Sequence, residues 1–182
     1  MRKVCEGYPR SRVRVVSIVK RDYLLFVLPA LIVVLLDQAS KWSITNLLEP
    51  YHVVSIIPGF FNLVLVQNRG VAFGILGNSS SALASYLLLG ATLIAIVVVF
   101  LFFYWARKDQ KWLTIGLALI LGGAVGNLID RIRLGYVIDF LDFHLKGYHW
   151  PAFNIADSAV TVGALWLLLN IILGKSLTKP TE

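Results

Sequence analysis

Residues 82–105 read ALASYLLLGATLIAIVVVFLFFYW, a run without a single charged side chain. A bilayer core about 30 Å thick needs roughly 20 apolar residues in a helix. This run meets that length, so it decides the fold: the chain crosses a membrane. Three further stretches come close to it. One runs from about Tyr23 to Leu47, with Asp37 and Lys41 in its second half. Another runs from about Trp112 to Ile129, and a last from about Ile155 to Leu173, with Asp157 near its start. Tyr23, Trp42, Trp105 and Trp112 lie near the ends of these spans, where interfacial aromatics are favoured. The expected fold is mainly α: four transmembrane helices in a single domain.

Composition agrees. Of the 182 residues, 58% are hydrophobic and only 15% are charged, too apolar for a soluble domain of this size. The net charge of +7 raises the question of nucleic acid. The basic residues sit at the ends of apolar runs, where lipid headgroups are their partners, so no nucleic-acid partner is expected. Cys5 is the one cysteine, which excludes an internal disulfide framework. No cleavable signal peptide is expected, because the first apolar run is long and lacks a small-residue cleavage site.

Loop charge orients the spans. Arg2, Lys3, Arg10, Arg12, Arg14, Lys20 and Arg21 precede the first span; Arg107, Lys108 and Lys111 separate the second from the third; Lys175 and Lys179 follow the fourth. Both termini and the 106–111 loop are therefore expected in the cytoplasm. Residues 1–21 and 175–182 read as basic tails flanking a membrane unit, 22–174. Segments 48–81 and 130–154 fall outside. In the first of these, His52–Ile57 and Phe60–Val66 are rich in β-branched and aromatic residues around Pro58-Gly59, which predicts two short strands and a turn. Asn78-Ser79-Ser80-Ser81 reads as a flexible entry to the second span, and 134–153 as a further extended piece.

Ionisable groups inside spans are costly and mark function by default. Asp37 and Lys41 stand four apart on one helix face. They pair either as a self-neutralising couple reaching the interface or as support for a site. Asn127, Asp130 and Arg131 share a face where the third span ends, and Asp130 with a nearby arginine reads as a salt bridge. Gly122-x-x-x-Gly126 allows close helix approach. Asn154 and Asp157 have the spacing of a helix N-cap and its third residue, yet the run that follows enters the bilayer at once, and Asn154 alone suffices as a cap. Asp139 lies in Tyr136-Val-Ile-Asp139-Phe-Leu-Asp142, between apolar neighbours. It reads either as a site residue or as a strand position facing water, and Asp142 suits the water-facing reading better.

Other chemistries are poorly supported. His144 and His149 are five apart with no HExxH pattern, so each is expected to be a structural or surface histidine, and no metal is expected. There is no Gly-x-Ser-x-Gly elbow, and Ser158 has no evident base beside it. There is no Walker-type phosphate loop. Two carboxylates from separate segments at a poorly hydrated interface have one well-known use. They share a proton, and together they activate water and protonate a carbonyl oxygen.

In this order the motifs resemble those of the bacterial lipoprotein signal peptidases, the type II signal peptidases. The resemblance runs from about Leu24 to Leu173. It is carried by Asp37-Gln-x-x-Lys41; by Asn68-Arg-Gly70-Val-Ala72-Phe73-Gly74, where Val71 replaces the family's usual small residue; by Gly122-Gly-Ala-x-Gly126-Asn127-Leu-x-Asp130-Arg131 with Gly135-x-Val-x-Asp139-Phe; and by Phe153-Asn154-x-Ala156-Asp157-Ser158. It implies an aspartic endopeptidase with Asp139 and Asp157 as the catalytic pair. Asn68, Asn127, Arg131 and Asn154 would position the substrate, with Asp37, Lys41, Gly70 and Asp130 in support. The implied substrate is a prolipoprotein whose cysteine already carries diacylglycerol, cut just before that cysteine. The 48–81 strands would form a cradle over the site. No cofactor is implied, membrane lipid is the other partner, and a monomer in the bacterial cytoplasmic membrane is expected. A small ion-pathway protein using Asp37, Asp130 and Asp157 is disfavoured, because the cytoplasmic halves of the spans lack acids. A non-catalytic scaffold binding lipidated proteins remains an alternative.

Overall fold

The computed structural model describes residues 11–50, 52–70, 82–105 and 110–173. The tails 1–10 and 174–182, the loop residues 106–109, the Val71–Gly74 part of the second motif and the Asn78–Ser81 entry lie outside the described residues. Within them the order is α1 (Ser11–Leu47), β1 (Val53–Ile57), β2 (Phe61–Asn68), α2 (Ala82–Trp105), α3 (Lys111–Leu134), β3 (Val137–Leu145), β4 (Tyr148–His149) and α4 (Ile155–Ile172). Four of these helices are long and apolar enough to cross a membrane. The third is longer than the apolar run alone implied. It continues through Asp130 and Arg131 to Leu134, where Gly135 caps it in the left-handed conformation at φ 78°.

Helix α3 is the hub, packing against α1, α2 and α4. Its small residues make that possible. A Cβ at Gly122 would lie 2.7 Å from the Ala30 carbonyl oxygen of α1. A Cβ at Gly123 would collide with the Ala156 carbonyl of α4, and one at Gly126 would lie 2.7 Å from the Asp37 carboxylate. The glycine patch thus lets two helix backbones approach the same stretch of α3, and it brings the polar residues of α1 within reach. Lower in the bundle, Phe26, Ala30, Val99, Leu117, Ala118 and Leu121 form the apolar core, with Phe26 stacked on Phe103 at 3.9 Å. Helix α2 turns most of its apolar side chains outward, Leu87, Ile94, Val97 and Phe102 among them. That suits a lipid solvent, where burial against protein is not required.

At one end of the bundle lies an antiparallel sheet in the order β1-β2-β3-β4. The β1–β2 hairpin turns at Pro58-Gly59, with Gly59 at φ 78°, as its turn residues predicted. The sheet is larger than a first-loop cradle, because the segment after α3 supplies β3 and β4. Its underside packs Leu65, Ile138 and Phe140 on Ile44, near the end of α1. Helix α4 is tied to β3 directly. The amides of Phe140 and Leu141 donate to the Phe153 carbonyl, and the Phe153 amide donates to Leu141. That clamp sets Asn154 and the first turn of α4 beside Asp139.

Candidate active site

The polar residues of the spans meet in one buried network. Lys41 Nζ lies 2.8 Å from Asp37 Oδ2 and 2.7 Å from Asp130 Oδ2. It also donates to Asn127 Oδ1 at 3.1 Å. Lys41 is 2% exposed and Asp37 fully buried, so the couple does not reach for the interface. The partner of Asp130 is this lysine, which corrects the expected arginine salt bridge. The close approach of α1 and α3 at Gly126 explains the change, because it carries Lys41 onto Asp130. Gln38 completes the cluster, donating to Asp130 Oδ1 at 2.9 Å and to Asp37 Oδ2 at 3.2 Å. Sequence reasoning assigned Gln38 no role. The rule that polar groups in spans need partners could have found it.

This cluster holds the neighbouring segments through their backbones. Asp37 Oδ1 accepts from the Ala156 amide at 2.9 Å. Asn154 Oδ1 accepts from the Asp157 amide at 2.9 Å. Two of the unsatisfied donors at the start of α4 are thereby met. Asn154 is the N-cap, as expected, and the Asp157 side chain is left free of that duty. Asp130 Oδ2 accepts from the Ile138 amide at 3.2 Å, which anchors the start of β3.

Two asparagines connect Asp139 with Asp157. Asn154 Nδ2 lies 2.7 Å from Asp139 Oδ1 and 3.2 Å from Asn127 Oδ1. Asn127 Nδ2 in turn donates to Asp157 Oδ1 at 2.7 Å. The other oxygen of Asp139 accepts from Asn68 Nδ2 at 2.9 Å. Asn68 is oriented by its own loop, since its Oδ1 accepts from the Gly70 amide at 2.9 Å. Gly70 sits at φ 138°, a conformation L side chains rarely adopt. The structure therefore gathers Asn68, Asn127 and Asn154 around the two aspartates. Arg131 stands one turn beyond Asn127, with Nη1 3.4 Å from the Asn127 carbonyl.

Asp139 is 2% exposed, so the water-facing strand reading fails for it. Burial pushes its carboxyl up to about 6. Hydrogen bonds from Asn68 and Asn154 oppose that rise, and the charge of Asp157 adds to it. Asp142 also departs from expectation. It is only 7% exposed, covered by Asn62 of β2 and His149 of β4, because β3 is an inner strand. Burial pushes its carboxyl up, but the hydrogen bonds from His149 and Asn62 outweigh burial and hold it below the ordinary range. Ser158 donates its hydroxyl to the Asn154 carbonyl at 2.9 Å, a helix-end contact.

A cleft of about 290 Å³ opens between the start of α2 and the end of α3. Asn68, Arg131, Tyr86, Leu88, Leu89 and Tyr136 line it. It is polar on the side of Asn68 and Arg131 and apolar on the side of α2. Asn68 joins it to Asp139 through a single hydrogen bond.

Known proteins share this architecture. The family model described as signal peptidase (SPase) II matches residues 29–173. A lipoprotein signal peptidase of Syntrophotalea carbinolica is 44% identical over 81% of this chain and 91% of its own length. One of Burkholderia vietnamiensis is 49% identical over 78% of this chain and 83% of its own. A bacterial membrane enzyme solved by the in meso method at 2.3 Å resolution matches with a TM-score of 0.70 and 33% identity, covering 86% of this chain and 92% of that one. With the family model running from α1 through α4 and such identity across most of both chains, the chain belongs to the signal peptidase II family of membrane peptidases.

Proposed function

We propose that this chain is an aspartic endopeptidase that removes signal peptides from diacylglyceryl-modified prolipoproteins, cutting just before the lipidated cysteine. The observation that carries the reading is the chain of contacts Asp139–Asn154–Asn127–Asp157, which joins two carboxylates from different elements through their own amide donors.

The chemistry follows from that arrangement. Asp139, whose carboxyl burial pushes up to about 6, holds the shared proton. Asp157 accepts a proton from water as the water oxygen bonds to the scissile carbonyl carbon. Asp139 donates its proton to the carbonyl oxygen, so the tetrahedral intermediate forms without net charge on that oxygen. Collapse re-forms the carbonyl, breaks the C–N bond and returns a proton to the leaving nitrogen. The products are a free carboxyl on the signal peptide and a free amine on the lipidated cysteine. Asn68 and Arg131 line the cleft and bind the peptide backbone on either side of the cut. The apolar α2 side of that cleft takes the acyl chains, which keeps the scissile bond at the membrane surface.

The topology that fits has both termini in the cytoplasm and the sheet and dyad at the outer face of the bacterial cytoplasmic membrane. Residues 22–174 form the peptidase unit, with basic tails at 1–21 and 175–182. Each residue of the proposed site comes from one chain, so a monomer suffices.

The test is mass spectrometry of the products. A purified prolipoprotein carrying diacylglycerol should yield a fragment that begins at the lipidated cysteine, and the same precursor without the lipid should remain uncut. Equal cleavage of both precursors would overturn the assigned substrate. A second expectation concerns pH. Because the raised carboxyl keeps Asp139 protonated below about 6, kcat/KM should decline as pH rises past that value, as the protonated member of the pair is lost. A profile that stays level from about pH 5 to 8 would remove Asp139 from the proton-donor role.

A further inference from the structure

Asp142, His144 and His149 stand apart from the proposed dyad, and the chemistry above does not use them. Their placement is dictated by strand geometry. Asp142 and His144 are two residues apart on β3, so they project from the same face. His149 on β4 pairs directly with His144, so it joins them on that face. The turn between them is the two-residue loop Lys146-Gly147, both at positive φ, 50° and 85°. That is the tight hairpin geometry, which fixes the register of the pair. The two imidazole rings stack 4.8 Å apart and 11° from parallel. His149 Nδ1 lies 2.9 Å from Asp142 Oδ1.

One ligand atom from each of these side chains lies within 4.8 Å of the others. Around a tetrahedral ion with bonds of about 2.1 Å, ligand atoms sit roughly 3.4 Å apart. An imidazole lone pair lies in the ring plane, so His149, with 55% of its side chain exposed, would turn out of its stack on His144 to bring the two ring nitrogens onto one ion. The carboxylate is already oriented from behind. Asn62 Nδ2 donates to Asp142 Oδ2 at 2.9 Å and lies 3.3 Å from His144 Nδ1. A buried, hydrogen-bonded carboxylate with two imidazoles at its mouth is a donor set for a borderline divalent transition metal, since hard cations prefer oxygen donors alone.

We propose that Asp142, His144 and His149 form a zinc-type binding site on the sheet, with water completing the coordination. Sequence spacing could not show it, because His144 and His149 meet only through the β3–β4 pairing. The ion would staple β4 to β3, the strand that also carries Asp139. The site is independent of the peptidase reading.

The experiment uses the full chain in detergent, purified without a polyhistidine tag and stripped with chelator. Titration with Co²⁺, followed by its visible d–d absorption, and displacement by Zn²⁺ should reveal one equivalent bound. Zn²⁺ should also raise the melting temperature. His149→Ala and His144→Ala should each weaken binding by at least about tenfold, while His52→Ala should leave it unchanged. Because His149 is exposed, its variant keeps the fold and decides the matter even if His144→Ala does not. No uptake by the unmodified chain at about 100 μM Zn²⁺, far above the range of structural zinc sites, would overturn the proposal and leave the cluster as a hydrogen-bonded hairpin brace. Unchanged uptake in His149→Ala would overturn it equally.

Discussion

Asp157→Asn should abolish cleavage of a lipidated prolipoprotein, with a loss of about 10³-fold or more, and leave the protein folded. The local geometry separates the two effects. Asp157 Oδ1 accepts from Asn127 Nδ2 at 2.7 Å, and the oxygen of an asparagine side chain can accept the same bond. The N-cap contact at the start of α4 uses the Asp157 backbone amide, not its side chain. The substitution therefore preserves the packing and removes the proposed base. Asp139→Asn should be equally inactive but more disturbing. Both oxygens of Asp139 accept hydrogen bonds, from Asn68 and from Asn154, and an amide can satisfy only one of these donors. In the proposed mechanism the two carboxylates act as one unit, so the double variant should be no slower than either single one. A gel-shift assay of precursor and product, with thermal melting as the folding control, reads all three proteins. Activity above about 1% of the unmodified enzyme in either single variant would sink the dyad assignment.

The spans were legible because hydropathy and length alone decide them, as the charge-free run at 82–105 illustrates. The hairpin around Pro58-Gly59 was legible because its turn residues are local signals. What local sequence left open depends on pairing between distant segments. Asp139 read as either a site residue or a wet strand position, and its burial depends on β3 lying beside β2 and on the clamp from Phe153. Asp142 looked solvated because His144 and Lys146 follow it, yet Asn62, eighty residues upstream, covers it. The partner of Asp130 was misread for the same reason: Arg131 is its neighbour in sequence, but Lys41 is its neighbour across the glycine contact. The roles proposed for Asp139 and Asp157 rest on the ordered motifs of the family. The physics of their surroundings supplies the reason those two positions suit the chemistry.

Lys41→Met should cost about 3–5 kcal/mol of stability, the loss expected when one partner of a buried ion pair is removed. Lys41 is 2% exposed and is the cation between two carboxylates, Asp37 and Asp130. Methionine fills a similar volume but leaves both acids facing each other, with Gln38 bridging them. Water cannot readily enter to compensate, because Gly126 and Ala156 close against Asp37. The same lysine also acts on the site. By donating to Asn127 Oδ1 at 3.1 Å, beside the Asn154 amide at 3.2 Å, it helps to set which end of that amide faces inward, so that Nδ2 is the end presented to Asp157. The surviving folded fraction of Lys41→Met should therefore cleave more slowly per molecule as well as melt earlier. Adding Asp130→Asn to the variant removes one of the two stranded charges, so the double variant should recover part of the lost stability, an interaction that a double-mutant cycle measures directly. It should recover little of the lost rate, because the asparagine amide still lacks its lysine donor. Thermal melting in detergent separates stability from rate. A Lys41→Met protein that melts like the unmodified chain would show that the buried triad does not hold the bundle to its site.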